Sequence, residues 1–422
     1  MARLELTLVR TMPLTAAPAH QFDGPFSPLA PAVMADHACA YRWLHEYAPC
    51  HYNGDFDPPF FTLSRYQDVA SALRNIAHFA SEHGQGPRFT PPAGMLSDPP
   101  QHTHYRKLVQ QAFTPRAVAA LSDNIERLAR RLLNELDAPE TFDLHEQFAF
   151  PLPVIVISDM LGVPSTDRAL FKRWSDASVT AMGAEDPTPW QDDLTALNDY
   201  LLEHIRSERR GLQSNKTRNN LTRGLIEASI DGTRLTDEEI RGVVSQLLVG
   251  GNETTTSLIT NAVWRLLQTP QLWQAVQADR SLIAIALEES LRFDPPVLGL
   301  YRTTTTAITM HGVSMPANSK VLLHYAAANR DPAVFPEPDE FRLDRHGQRH
   351  LAFGLGVHFC LGAQLARLEA KSALTALFDH FAELTLLGDG ERIAPFFLWG
   401  RKSLPLAGLC NHSNTLPGRS KP

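Results

Sequence analysis

The sequence predicts a mainly α-helical fold with a small β region, and three observations carry that reading. Apolar residues recur at helical spacing over most of the chain between about residues 64 and 293. Prolines at 115, 139, 151 and 270 cut that pattern into helix-length pieces. Strand-like segments come only after the Asp294-Pro295-Pro296 breaker.

Taken in order, the first 30 residues are rich in Pro and Ala and read as an irregular lead-in. Residues 31–408 read as a single domain and residues 409–422 as a disordered tail. Ser64 to Phe79 spaces its apolar residues for an amphipathic helix. Residues 81–100, SEHGQGPRFTPPAGMLSDPP, form a long Gly- and Pro-rich loop, and loops of that length usually serve function. Helical patterns run from His102 to about Leu212, and the polar, basic stretch near 207–221 reads as an exposed connection. Thr236 and Glu239 open a capping box, and the apolar pattern behind them reaches Leu267. About 32 helical residues make a rod of about 50 Å, enough to cross a domain. Another helix covers about 279–293. The strand-like TTTTAITM and KVLLHY lie on either side of a His311-Gly312 turn. A Gly-rich loop over 354–362 then leads into a helix from near Gly362.

Composition narrows the classes further. The 422 residues are 43% hydrophobic and 20% charged, the make-up of an ordinary globular protein. A net charge of −7 argues against a surface built to grip nucleic acid. Four cysteines, with no CxxC pair, are too few and too scattered for a disulfide framework or a zinc ribbon. They fit a reducing compartment. With no signal-peptide core and no spanning run of about 20 apolar residues, the expected location is the cytoplasm, without membrane insertion.

The most informative ten residues are Phe353 to Gly362, FGLGVHFCLG. Glycines at 354, 356 and 362 allow tight turns, so that N–H groups converge on the Cys360 sulfur. The helix that follows adds its positive end, and both effects favour a thiolate. Local chemistry alone leaves three roles open for Cys360: metal ligand, nucleophile, or inert core residue. Two adjacent glycines, Gly250-Gly251, sit mid-helix at a cost of about 1 kcal/mol each against alanine. A gap in the hydrogen-bond ladder beside a ligand would account for them, as would a packing contact.

The ten-residue run resembles the haem-binding signature of the cytochrome P450 superfamily at every fixed position. The resemblance implies the P450 fold, with haem b held between the long central helix and the cysteine loop with its following helix. Cys360 is then the thiolate ligand of the iron, with Phe353 and Gly354 shaping its loop. Gly250-Gly251-Asn252-Glu253-Thr254-Thr255 is similar to the family's oxygen-binding motif, which implies that Thr254 contacts bound O2 and that Glu253 relays protons. Gly251 would then lie against the haem. Glu289 and Arg292 match the family's ExxR pair, a structural brace for the cysteine loop. Glu340 stands where a third, arginine partner is common, so Arg342 or Arg345 takes that place. His102, Arg106, Arg302 and His358 match partners of the haem propionates.

The resemblance also implies a monooxygenase that uses O2 and two external electrons to hydroxylate a mainly apolar small molecule. Candidate pocket residues are Phe89, Met95, Leu247, Leu248, Val297, Leu298, Leu300, Phe396, Phe397 and Leu398. Only 62 residues follow Cys360, so electrons are expected from a ferredoxin or flavodoxin with its reductase. Arg106, Lys107, Arg116, Arg367 and Lys371 are the candidate docking patch on a monomer. Two other readings keep the haem: a peroxide-driven peroxygenase and a non-catalytic haem sensor. A cysteine hydrolase is the reading without it.

Overall fold

The computed structural model describes residues 24–411 apart from 36, 92–93, 185, 214–219, 231 and 346. Its axis is the helix Asp237–Leu267, 31 residues long. Thr236 accepts the Glu239 amide at 3.2 Å, while the Glu239 carboxylate accepts the Thr236 amide at 2.8 Å. That reciprocal cap fixes where the helix starts. Helices Pro151–Leu161, Gln191–Gln213 and Ala363–His380 pack around it. The central helix is buried on nearly every side beyond Gly251, and even Thr256, Thr260 and Asn261 are fully enclosed. An enclosed helix must place its polar groups, and Asn261 donates to the carbonyls of Asp294 and Trp399 at 3.1 and 2.9 Å.

The β region is more widely spread than the sequence suggests. A five-stranded sheet runs Cys50–Asn53, Phe60–Leu63, Lys320–Leu323, Leu300–Thr304, Phe79–Ala80. Three of those strands precede residue 294, so strands are not confined to the region after it. Phe60–Leu63 escapes a search for alternation because all four residues are buried. The same sheet shortens the first amphipathic helix to Tyr66–Arg74, since Phe79 and Ala80 pair with Thr304 and Thr303. Its register sets Val321 opposite Arg302, which carries that arginine into the interior.

Other boundaries shift as well. Helices Pro31–Ala35 and His37–Tyr47 fill the start of the domain. The expected connection at 207–221 is helical through Gln213, and 214–219 lie outside the described residues. The helix expected from 279 begins at Leu282. The last strand, Pro405–Cys410, pairs with Phe381–Leu386 and takes Leu409 and Cys410 out of the assigned tail. Residues 1–23 of the lead-in and 412–422 of the tail lie outside the described residues. Among the described residues, no helix is long and apolar enough to cross a membrane.

Candidate active site

The cysteine loop is built by backbone geometry. Gly354 and Gly356 have φ of +67° and +73°, the left-handed region that disfavours side chains. A Cβ on Gly356 would meet the Leu73 carbonyl at 2.7 Å, so helix Tyr66–Arg74 demands glycine there as well. Gly362 is different: its φ is −81°, and it simply caps the helix Ala363–His380. The Cys360 amide donates to the Phe353 carbonyl at 2.9 Å, which closes the loop. Burial pushes the Cys360 thiol above its ordinary value, against the pull of the Gly362 and Ala363 amides, Arg106 and Arg367. The loop therefore lowers the cost of a thiolate without making one by itself. A bound metal cation would supply the remainder.

Beneath the loop lies the brace. Glu289 and Arg292 are 3% and 2% exposed and pair through both carboxylate oxygens, at 2.7 and 2.8 Å. Arg292 also donates to the carbonyls of Asn329, Pro338 and Glu340. Arg345 is the third partner, with its Nε 3.1 Å from Glu289. Arg342 gives Glu289 only its backbone amide, while its guanidinium goes to Asp344. Neighbouring Glu288 takes Arg367 at 2.6 and 2.9 Å and His350 at 3.1 Å. Arg367 also stacks 4.5 Å from the Phe353 ring. Arg367 is thus a brace of the loop, not a free docking cation. Nothing in the sequence marked Glu288, because the ExxR spacing points one residue on.

The central helix runs unbroken past Gly250 and Gly251, so no gap opens in its ladder. The Thr254 hydroxyl instead donates to the Gly250 carbonyl at 2.9 Å, one turn back. Cβ atoms on Gly250 and Gly251 would meet nothing within 4 Å, so this face borders open space. Glu253 points the other way and is 4% exposed. Burial, then Asp176, raise its carboxyl to about 7, against a smaller pull from Lys172. Asp176 and Lys172 line a surface cleft of about 370 Å³ with Arg173 and Asp193.

The 81–98 segment is held from several directions. Asp98 accepts the amides of Ser81 and Glu82 at 2.7 and 3.0 Å and pairs with His358 Nε2 at 3.1 Å. Burial opposes its charge, yet those three donors hold the Asp98 carboxyl below its usual range. Lys320, 1% exposed, donates to the carbonyls of His83 and Gly84 at 2.7 and 3.1 Å. Arg88 reaches the carbonyls of Ala181 and Ala184 at the end of helix Arg168–Gly183. Asp98 links the loop to the cysteine loop, a role that no local motif announced. Replacing Asp98 with Ala should cost about 1–3 kcal/mol, because two amides and a buried imidazole lose their acceptor. A lowered urea midpoint and faster haem loss would show it; wild-type values for both would refute it.

Of the expected propionate partners, Arg302 is 2% exposed and donates only to the Tyr301 carbonyl. Arg106 is half-buried beside Cys360, whose thiolate would raise it against the lowering by burial. The His102 ring lies 4.3 Å from that of His358, and its buried Nδ1 has no partner. His358 spends Nε2 on Asp98. Of the pocket candidates, Val297, Phe396, Phe397 and Leu398 meet in one apolar cluster with Val179 and Val249. Leu247 and Leu248 are buried in the main core, with Met95 against it. Leu300 packs against the sheet. Two candidates fall elsewhere. Leu298 packs with Tyr41, Ala326 and Trp399, while the residue before it, Val297, takes the cluster around Phe396 and Phe397. Phe89 is 49% exposed, drawn outward over the Lys320 ammonium at 4.7 Å.

A mainly helical fold that combines a braced cysteine loop with a central helix whose Gly250-Gly251 face borders open space is the framework of a haem-thiolate protein. The cytochrome P450 family model matches residues 46–401, and the chain belongs to that family. It is 39% identical over 378 residues to cytochrome P450 109 of Bacillus spizizenii, covering 87% of this chain and 90% of that one. It is also 39% identical to the erythromycin C-12 hydroxylase of Saccharopolyspora erythraea, covering 82% of this chain and 88% of that one. Among solved structures, cytochrome P450 CYP109Q5 from Chondromyces apiculatus superposes with a TM-score of 0.80 at 36% identity, covering 91% of this chain and 98% of that one. The protein is a P450 monooxygenase, and its cofactor is haem b. The residues present fit that group: a loop sulfur among amides, a buried imidazole nitrogen without a partner among the described residues, and two glycines whose face borders open space.

Proposed function

We propose that this monooxygenase hydroxylates a C–H bond of a mainly apolar small molecule, fed with electrons by a ferredoxin or flavodoxin and its reductase. Haem b, when bound, supplies the activation of dioxygen; the chain supplies the rest. Cys360 Sγ is the ligand, with the Gly362 and Ala363 amides turned toward its charge. Arg106, Arg302 and His102 hold the propionates, and Nδ1 of His358 is the nitrogen left for the same task. Val297, Phe396 and Phe397 orient the substrate by apolar contact and keep water from the reacting face. Among these residues no charged side chain is offered to anchor an ionic substrate.

The observation that carries the reading is Glu253. A buried acid that keeps its proton to about pH 7 is poised to give it up and regain it near neutrality. Thr254, its neighbour, rests its hydroxyl on the Gly250 carbonyl at the edge of the open face, from where it passes the proton on. Asp176, beside Glu253 and on the surface cleft, completes the route to solvent. A peroxide-driven enzyme has no use for such a relay, since its oxidant already carries the protons. Turnover with O2 and a reduced ferredoxin system should exceed turnover with hydrogen peroxide alone. Faster turnover with peroxide would favour the peroxygenase reading.

The same group predicts a pH dependence. In the unfolded chain Glu253 has the ordinary carboxyl value of 4.5, and in the folded protein one of about 7. The folded state therefore holds the extra proton between those values, and stability from this group falls as pH rises through that window. The expected span is about 3 kcal/mol. Turnover should decline through about pH 7, and Glu253→Gln should lower turnover and flatten the profile. A Gln variant with the wild-type profile would remove Glu253 from the relay.

For docking of the electron donor, Lys107, Arg116 and Lys371 remain exposed. Their charge would steer an acidic partner, and reduction should slow as salt rises.

A further inference from the structure

Four arginines surround one carboxylate, that of Asp294, at the foot of the 392–401 hairpin, whose tip carries Phe396 and Phe397. Asp294, 3% exposed, is gripped by Arg265 through Nε at 2.7 Å and Nη2 at 3.0 Å. Arg330 turns to Asp339 at 3.2 Å and to the Phe293 carbonyl at 2.9 Å. Arg401 donates to the Asp389 carbonyl at 2.8 Å and to Asn261 at 3.2 Å. Arg392 is left over. Its Nε and Nη2 are buried, and among the described residues neither has a hydrogen-bond partner.

Its neighbours share the deficit. The Arg392 guanidinium lies 3.0 Å from the centroid of the Trp399 ring, whose own Nε1 is buried and unpaired. The His37 ring packs 4.4 Å from that of Trp399 and 5.4 Å from that of Tyr41, whose hydroxyl is also buried and unpaired. Trp399 and Tyr41 are 8% and 2% exposed, so solvent does not relieve them. Nε and one Nη form the edge of a guanidinium that takes a carboxylate side-on. Here that edge goes unused among other donors, with the one nearby buried carboxylate already held by Arg265. Burial lowers Arg392 to about 10 and Arg401 to about 9, as for cations that their surroundings match poorly. A buried water could satisfy a donor but not the charge.

We infer that Arg392, Trp399 and Tyr41 form a binding site for a small planar oxyanion of the carboxylate type. Arg392 is only half-buried, which gives an anion a way in. The site braces the hairpin: Arg392 bridges to Arg401, and Leu398 to Val297. An anion there would tie the stem of the hairpin to helix His37–Tyr47 and steady the pocket wall above it. The inference stands apart from the assignment of substrate and relay residues.

The test is a titration of the haem-loaded enzyme with sodium acetate, against sodium chloride at the same ionic strength. The readouts are the thermal midpoint, tryptophan fluorescence and the Soret band. The expected result is a saturable rise in the midpoint with a fluorescence change, at least tenfold tighter for acetate than for chloride. The Soret band stays unmoved, which separates this site from the haem. Arg392→Gln should abolish the saturable response. If that variant does not fold, Trp399→Phe removes one donor while keeping an aromatic ring, and should weaken acetate several-fold. Equal responses to the two salts, a Soret shift that tracks the binding, or saturation unchanged in the variants would overturn the site. So would a crystal structure in acetate with only water beside Arg392.

Discussion

Replacing Cys360 with Ala is expected to abolish monooxygenase turnover while leaving the fold in place. The loop does not depend on the sulfur for its shape. Gly354 and Gly356 set its turns, and its closing bond runs from the residue-360 amide to the Phe353 carbonyl, which alanine preserves. What disappears is the sulfur proposed as the haem ligand, together with the charge toward which the Gly362 and Ala363 amides and Arg106 are directed. Far-ultraviolet circular dichroism should therefore match the wild type, while substrate turnover with the full electron-transfer system falls to background. An alanine variant that turns over substrate at a measurable share of the wild-type rate would remove Cys360 from the chemistry.

Glu289→Ala is expected to have the largest effect on stability, about 3–5 kcal/mol, because it strips the acceptor from buried Arg292 and half-buried Arg345. Arg292 is 2% exposed and would keep three carbonyl contacts but no carboxylate. Arg345 would lose its bond at 3.1 Å, and the Arg342 amide its acceptor at 2.8 Å. Against a total stability of about 5–15 kcal/mol, that loss brings the protein close to unfolding at ambient temperature. The measurement is a denaturant midpoint with the yield of haem-loaded protein; Glu289→Gln, which keeps one acceptor and the volume, should fall between. An alanine variant with an unchanged midpoint would mean that the brace carries no net stability.

How much of this was legible in the sequence differs by kind of signal. The cysteine loop, the ExxR pair and the capped central helix are local, so their residues could be read in order. Strand Phe60–Leu63 was missed because a fully buried strand shows no alternation. Asp98 carries no local signal because its partners, Ser81, Glu82 and His358, come together only in three dimensions. The third arginine could not be chosen between 342 and 345 until the chain's path showed which guanidinium reaches Glu289. Phe89 looked like pocket lining from its place in a Gly- and Pro-rich loop. The pull of a buried lysine on its ring lies 231 residues away along the chain and left no local trace.

Cys360 as the thiolate ligand of the haem carries an optical signature of its own. The spectrum of the dithionite-reduced protein under carbon monoxide tests it most directly. The account predicts a Soret band strongly red-shifted from that of a histidine-ligated haem, present in the wild type and absent in Cys360→Ala. A wild-type band at the histidine-ligated position, or the same shifted band in the alanine variant, would contradict it.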